Sequence, residues 1–212
     1  MPDTRQGCLY RRFTACCAAM APIPPDNIMT DQDLRAIARQ LSTLLPAPAW
    51  SGQYRLPASS APRFWRHWLL DNGSLTRRLV ALKPGHFTVK LLREYRGHAH
   101  PAEYRQLRLA YQQPVWVREV ALCIDHRCLV YGRTIIPLST LRGKHRRLLS
   151  LGDRPLGQYL FQQPSMKRRS VTISRIHQPK LPVNWQRRSV FTLDSKPLLV
   201  TESFTEQLRE YT

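Results

Sequence analysis

Val115-Trp116-Val117-Arg118-Glu119-Val120-Ala121-Leu122-Cys123-Ile124, the turn Asp125-His126-Arg127, and Cys128-Leu129-Val130-Tyr131-Gly132-Arg133-Thr134-Ile135-Ile136 decide the fold. Two runs rich in β-branched and aromatic residues, joined by three turn residues, read as an antiparallel hairpin. Side chains alternate between the faces of a strand, so Trp116, Arg118, Val120, Leu122 and Ile124 share one face. A second row of this kind spans Pro197 to Phe204, where Leu198, Val200, Glu202 and Phe204 share a face. Each row carries one charge, and the charges are opposite. An ion moved into a core costs several kcal/mol, on the order of the penalty that remains after protein relaxation. Such groups persist when they are paired or when they line a cavity for a charged ligand. Arg118 and Glu202 are read as the polar ends of a small-molecule pocket.

Working outward, the strands at about Phe87–Glu94, Arg169–Ile176, Ser189–Leu193 and Pro197–Phe204 join this hairpin. Their connections are mostly too short for parallel crossovers. A largely antiparallel sheet of about six strands follows, with helices packed on one face: an α+β domain. Trp65, Trp68 and Leu69 mark a short helix. Ser74 caps another, which carries Leu75, Leu79 and Leu82 and stops at Pro84-Gly85. His98 to Tyr111 reads as irregular. Pro137 and Ser139 open a helical region that runs through Leu149 and closes at Gly152, and Arg154 to Phe161 forms one more short helix. Ahead of these, Leu34, Ile37, Ala38, Leu41 and Leu45 form a helical stripe, and Pro46 to Pro62 is a connector. Residues before about Thr30 are Pro-rich and without periodicity, which predicts disorder.

The 212 residues suit one domain. No run of about 18 apolar residues occurs, so no transmembrane helix is expected. The apolar stretch Phe13–Ala21 behind Arg5, Arg11 and Arg12 imitates a signal peptide. It is short, broken by Cys16 and Cys17, and followed at once by Pro22, Pro24 and Pro25, so an over-long start with Met29 as alternative initiator is the preferred reading. Five cysteines, without C-x-x-C, predict a reducing cytoplasm rather than a disulfide framework or a zinc site. The net charge is +19, and it concentrates after Ser60, where 27 basic residues face 10 acidic ones. That field draws anions.

In order along the chain stand Val115-Trp116-Val117-Arg118-Glu119-Val120, Gly132-Arg133-Thr134-Ile135-Ile136-Pro137-Leu138-Ser139-Thr140-Leu141, Pro155-Leu156-Gly157-Gln158-Tyr159-Leu160-Phe161 and Lys196-Pro197-Leu198-Leu199-Val200-Thr201-Glu202. Together they resemble the chorismate lyase (chorismate pyruvate-lyase) family of ubiquinone biosynthesis, as does the upstream Ser74-Leu75-Thr76-Arg77-Arg78-Leu79. The resemblance covers roughly Arg63 to Phe204. It implies residues 63–212 as a chorismate lyase-like domain behind an N-terminal extension, 1–62, partly disordered, with one helix near 31–45.

The resemblance also implies an enclosed pocket beneath helical flaps. The implied reaction is the cleavage of chorismate to 4-hydroxybenzoate and pyruvate, without metal or organic cofactor, in a cytoplasmic monomer. On matching positions, Arg118 would bind the ring carboxylate, Glu202 would face the 4-hydroxyl and Leu156 would offer a backbone group near that hydroxyl. Leu75 would offer its N–H to the carboxylate. The family usually has methionine at Leu75, and a backbone contact survives that difference. The residue chemistry agrees. Leu75 follows a cap and carries one of the unpaired donors of a helix start. The Arg118 fork fits a carboxylate. Leu198, Val200 and Phe204 around Glu202 favour its neutral form unless a cation compensates. Arg133, Arg77 and Arg78 are candidates for a second cation, to hold the enolpyruvyl carboxylate.

Blander readings compete. Arg118 and Glu202 could form a structural ion pair, and Glu119, on the opposite face, is expected to pair with a neighbouring strand. His98 and His100 near Glu94 and Glu103 fit no zinc spacing. The basic runs Arg142–Arg147, Lys167-Arg168-Arg169 and Arg187-Arg188 read as solvated surface that steers a dianion, with no stable membrane insertion. They lack the interleaved aromatics of a nucleic-acid platform, so no nucleic acid is expected. The rival functions are a non-catalytic sensor domain of the same fold and a basic nucleic-acid-binding protein.

Overall fold

The computed structural model describes residues 29–43, 51–52 and 61–211. The expected signal-like stretch and the disorder before Thr30 therefore lie outside the described residues, apart from Met29, as does most of the connector.

The hairpin forms as its alternation requires, with β3 over Val115–Ile124 and β4 over Arg127–Pro137. Its turn is tighter than expected, because Arg127 pairs with Ile124 and leaves only Asp125 and His126 at the tip. Both have positive φ, 49° and 68°. That is the twist-matched two-residue turn of antiparallel strands, and an Asp at the first position tolerates it. The same device recurs at Asp194 and Ser195 (φ 46° and 65°), between β6 (Val183–Leu193) and β7 (Lys196–Thr205). With β2 (Phe87–Gly97), β5 (Lys167–Arg175) and a two-residue edge strand β1 (Ser51–Gly52), the order is β1-β5-β6-β7-β4-β3-β2. Every pairing is antiparallel. β6 begins at Val183, six residues before the expected start, so Arg187 and Arg188 belong to a central strand. Each is only 1 % exposed, which corrects their reading as solvated surface.

Helices α2 (Arg63–Leu69) and α3 (Leu75–Leu82) pack on the face that carries Val120, Leu122 and Ile124, burying Trp65, Trp68, Leu69 and Leu79. A 3₁₀ segment (Gly143–Ser150) and α5 (Leu156–Phe161) cover the neighbouring part of that face through Leu148, Leu151 and Leu160. The helical region expected from Pro137 is thus a turn followed by a 3₁₀ stretch. The opposite face of β3 is apolar too, and α1 (Asp31–Thr43) covers it at Ala121 and Cys123. Near Val115 and Val117 the cover is α4 (Pro101–Leu107). Helices therefore serve both faces, and those on the Arg118 face build the cavity.

α4 corrects the irregular reading of His98–Tyr111. Pro101 stands at its first turn, where a missing N–H costs nothing. His100 Nδ1 accepts from Ala102 N at 3.2 Å, while Glu103 accepts from His100 N at 2.8 Å. Among the described residues no helix is long and apolar enough to cross a membrane.

Candidate active site

On the covered face, residues of all the strands from β2 to β7, with α3 and α5, line a cavity that is partly open to solvent. Arg118, Glu202, Leu75 and Leu156 all line it. Its floor is open for a sequence reason. Gly132 of β4 pairs with Val120 on one side and Glu202 on the other. A Cβ there would meet Val120 Cγ2 at 3.0 Å, so any larger residue would crowd the floor between the two charged rows.

Arg118 is 2 % exposed. Its Nη2 donates to the carbonyls of Gly152 (2.7 Å) and Arg154 (3.0 Å), tying the segment ahead of α5 to the sheet. Nε lies 4.0 Å from Glu94 Oε1 and has no hydrogen-bond acceptor among the described residues. Burial pushes the guanidinium pKa down, and Glu94 and Asp153 only partly oppose this. The same segment is held from the other side, because Leu91 N donates to Asp153 Oδ1 at 2.9 Å. That N–H borders the register shift between Leu91 and Arg93 in the β2–β3 ladder.

Arg118 and Glu202 do not pair with each other. Glu202 stands two strands away on β7, and Arg187 Nε donates to its Oε2 at 2.6 Å. Arg187 Nη1 also donates to the carbonyls of Trp68 (3.0 Å) and Asp71 (2.9 Å). Arg187 is the compensating cation that the apolar Glu202 row requires. It lines the cavity, as does Arg168 of β5. Arg168 Nε and Nη2 donate to Ser189 Oγ (3.1 and 2.8 Å), and its Nη1 donates to the Asp71 carbonyl (3.0 Å). Burial, with Arg187 nearby, pushes its pKa down to about 10.

Leu75 is the first residue of α3. Ser74 Oγ accepts from Arg77 N at 3.3 Å, and the Leu75 N–H belongs to the donors that helical bonding leaves free. α5 starts at Leu156 behind Pro155, which supplies no side-chain cap. The two helix starts touch: a Cβ on Gly157 would sit 2.9 Å from Thr76 Oγ1, so only glycine permits this approach. Two helix N-termini thus border one cavity, an arrangement that favours anions.

The proposed second cations lie elsewhere. Arg133 forms ion pairs with Glu103 (3.1 Å) and Glu119 (2.5 Å). Burial opposes its charge, yet the two carboxylates hold its pKa above the ordinary value. Glu119 also pairs with Arg93 of β2 at 2.8 Å, as its position on the opposite face implied. Arg77 is exposed. Arg78 stacks on Trp68, 3.5 Å from the ring centre, beside Asp71 at 3.6 Å. Sequence reasoning missed Arg168 and Arg187. Strand alternation carried the signal, since Lys167 and Arg169 are exposed while Arg168 between them turns inward.

Among the described residues no three His, Cys, Asp or Glu side chains gather as a metal site. His100 and Glu103 are occupied as the cap of α4.

The chorismate lyase family model matches residues 49–211. A chorismate pyruvate-lyase from Pectobacterium carotovorum is 36 % identical over 173 residues, 81 % of this chain and 92 % of that protein. A probable chorismate pyruvate-lyase from Marinobacter nauticus is 42 % identical over 149 residues, 68 % of this chain and 77 % of that protein. Among solved structures, PhnF from Mycobacterium smegmatis is similar at a TM-score of 0.47 and 14 % identity, over 65 % of this chain and 66 % of that one.

Proposed function

The chain belongs to the chorismate lyase family, cleaving chorismate to 4-hydroxybenzoate and pyruvate, and we propose that Arg118, Glu202, Leu75 and Leu156 carry the reaction. The observation that supports this most is their convergence on one cavity floored by Gly132. Arg118 receives the ring carboxylate. Nε is buried without a hydrogen-bond acceptor, and Nη2 is fixed by two carbonyls, so the fork is oriented before substrate arrives. The Leu75 N–H adds a donor at the start of α3. Glu202 faces the 4-hydroxyl, with the Leu156 backbone beside it.

The reaction removes a proton from ring C4 and breaks the bond between C3 and the ether oxygen. The ring becomes aromatic, and the departing enolpyruvate gains a proton on its methylene carbon to become pyruvate. Aromatisation supplies the driving force, so the protein needs little covalent chemistry. It holds the eliminating conformation, excludes water, and places Glu202 to handle the C4 proton or polarise the 4-hydroxyl. No metal or organic cofactor takes part in this scheme. The unbridged buried thiols Cys123 and Cys128 support a cytoplasmic setting.

The test is incubation of the purified chain with chorismate under a chelator. Formation of 4-hydroxybenzoate is expected, with strong product inhibition from a cavity whose apolar walls and Arg118 both suit the aromatic acid. Glu202→Gln and Arg118→Ala should each lose about 100-fold or more in kcat/KM, the scale of a lost transition-state contact. Wild-type turnover in both variants would remove the assigned roles.

A further inference from the structure

We propose that Arg168 binds the enolpyruvyl carboxylate of chorismate and is the residue that separates the dicarboxylate substrate from the monocarboxylate product. The inference rests on the chorismate-lyase reading of the cavity and adds the group that reading lacks.

The charges lining the cavity are three guanidinium groups, Arg118, Arg168 and Arg187, and one carboxylate, Glu202. Arg187 is taken by Glu202 at 2.6 Å. Arg118 keeps Glu94 at 4.0 Å. Arg168 differs: its hydrogen bonds go to the Ser189 hydroxyl and the Asp71 carbonyl, both neutral. Among the described residues no carboxylate lies within ion-pair distance of it. Its guanidinium also sits 5.2 Å from the Phe191 ring centre, and Phe191 lines the cavity. A half-buried cation held rigidly by neutral groups has lost much of its hydration, and the more distant carboxylates of Glu202 and Asp71 offset that loss only in part. A ligand anion supplies what is missing. Three cations against one anion match a substrate with two negative charges.

The order across the sheet fits the molecule. From β3 to β5 the cavity presents Arg118, then Glu202 on β7, then Arg168. Chorismate presents its ring carboxylate at C1, its hydroxyl at C4 on the far side of the ring, and its enolpyruvyl ether at the neighbouring C3. With the C1 carboxylate on Arg118 and the hydroxyl toward Glu202, the ether arm extends toward β5. Negative charge moves onto that arm as the C3–O bond breaks, so a cation there assists departure as well as binding. After cleavage, 4-hydroxybenzoate retains no group for Arg168, and pyruvate does.

The experiment uses the full chain carrying Arg168→Gln and, separately, Arg168→Lys. Two quantities are measured: kcat/KM for chorismate, and the dissociation constant of 4-hydroxybenzoate by titration. In Arg168→Gln, kcat/KM should fall by about 100-fold, comparable with loss of one charge-stabilising group, while product affinity stays within about threefold. Arg168→Lys keeps the charge and should fall between, with product affinity again unchanged. A parallel fall in product affinity, or wild-type turnover in Arg168→Gln, overturns the assignment. Failure of the wild-type chain to make 4-hydroxybenzoate at all would instead sink the lyase reading on which the proposal stands.

Discussion

Arg187 faces Glu202 directly across the β6–β7 ladder and donates its Nε–H to Glu202 Oε2 at 2.6 Å. The pair gives the Glu202 row the cation that Leu198, Val200 and Phe204 do not supply. Arg187 is in turn locked by the carbonyls of Trp68 and Asp71, which sit at the end of α2 and just before α3. One guanidinium thus joins Glu202 to the helices that roof the cavity.

Arg187→Met should therefore lose about 3–5 kcal/mol of stability, the scale for breaking a buried pair. It should also lower kcat/KM for chorismate, because Glu202 and the helix ends at Trp68 and Asp71 lose their common anchor. Arg187→Lys keeps a charge and should lose less of both. A urea titration with a parallel turnover assay reads both effects, and unchanged stability and turnover in Arg187→Met would show that the pair does not hold the site together.

How much of this was legible follows from which signals are local. The β3 limits match the alternation to the residue, because a strand buried on both faces declares itself by composition. Ser74 is legible as a cap for the same local reason. α4 was not, because Pro101 beside two histidines reads as a loop until the reciprocal His100 and Glu103 bonds are seen. Arg118 and Glu202 stand out as lone charges in apolar rows. Arg168 and Arg187 are hidden in runs of like charge, where only strand register tells the inward side chain from its neighbours. That register depends on partners far along the chain.

Gly157→Ala should weaken ligand binding through the roof. Its Cβ would press on Thr76 Oγ1 at 2.9 Å and part the starts of α3 and α5, at a cost of about 1–3 kcal/mol for overpacking. Thr76→Ala removes the colliding oxygen, so the double variant should recover most of the product affinity lost in Gly157→Ala. Product titration of the four proteins forms the cycle. Additive losses in the double variant would mean that Gly157 matters for its backbone rather than for this contact.

His100 should make α4 acid-sensitive. Burial lowers its pKa from the ordinary 6.5, with Arg188, Arg133 and Arg105 adding to this and Glu103 opposing. The folded state therefore holds fewer protons than the unfolded chain just below 6.5, and stability rises with pH through that window. The contribution is complete above 6.5 and is lost as pH falls through the lowered value. The cause is visible: Nδ1 accepts from Ala102 N, and a protonated ring cannot accept. His100→Asn keeps a cap without that titration, so its melting temperature should depend less steeply on pH below neutrality. Equal slopes in the two proteins would assign the acid sensitivity elsewhere.

His145 should govern how firmly the roof stays closed. It is 2 % exposed, and its ring bridges Tyr159 Oη (2.9 Å) on α5 and Asp194 Oδ2 (2.9 Å) at the β6–β7 turn. The ring thus pins both the 3₁₀ segment and α5 to a fixed corner of the sheet. Neither element has a long helical ladder of its own, so their order depends on such tertiary ties. His145→Phe fills the same volume and removes both bonds. Amide exchange should then speed up over residues 143–161 while the β3–β4 hairpin stays protected. The dissociation rate of 4-hydroxybenzoate should rise in step, because the product leaves through the loosened roof. Tyr159→Phe breaks one of the two bonds and should give an intermediate rate. If exchange speeds up over 143–161 without a faster product off-rate, the path out of the cavity does not run beneath these elements.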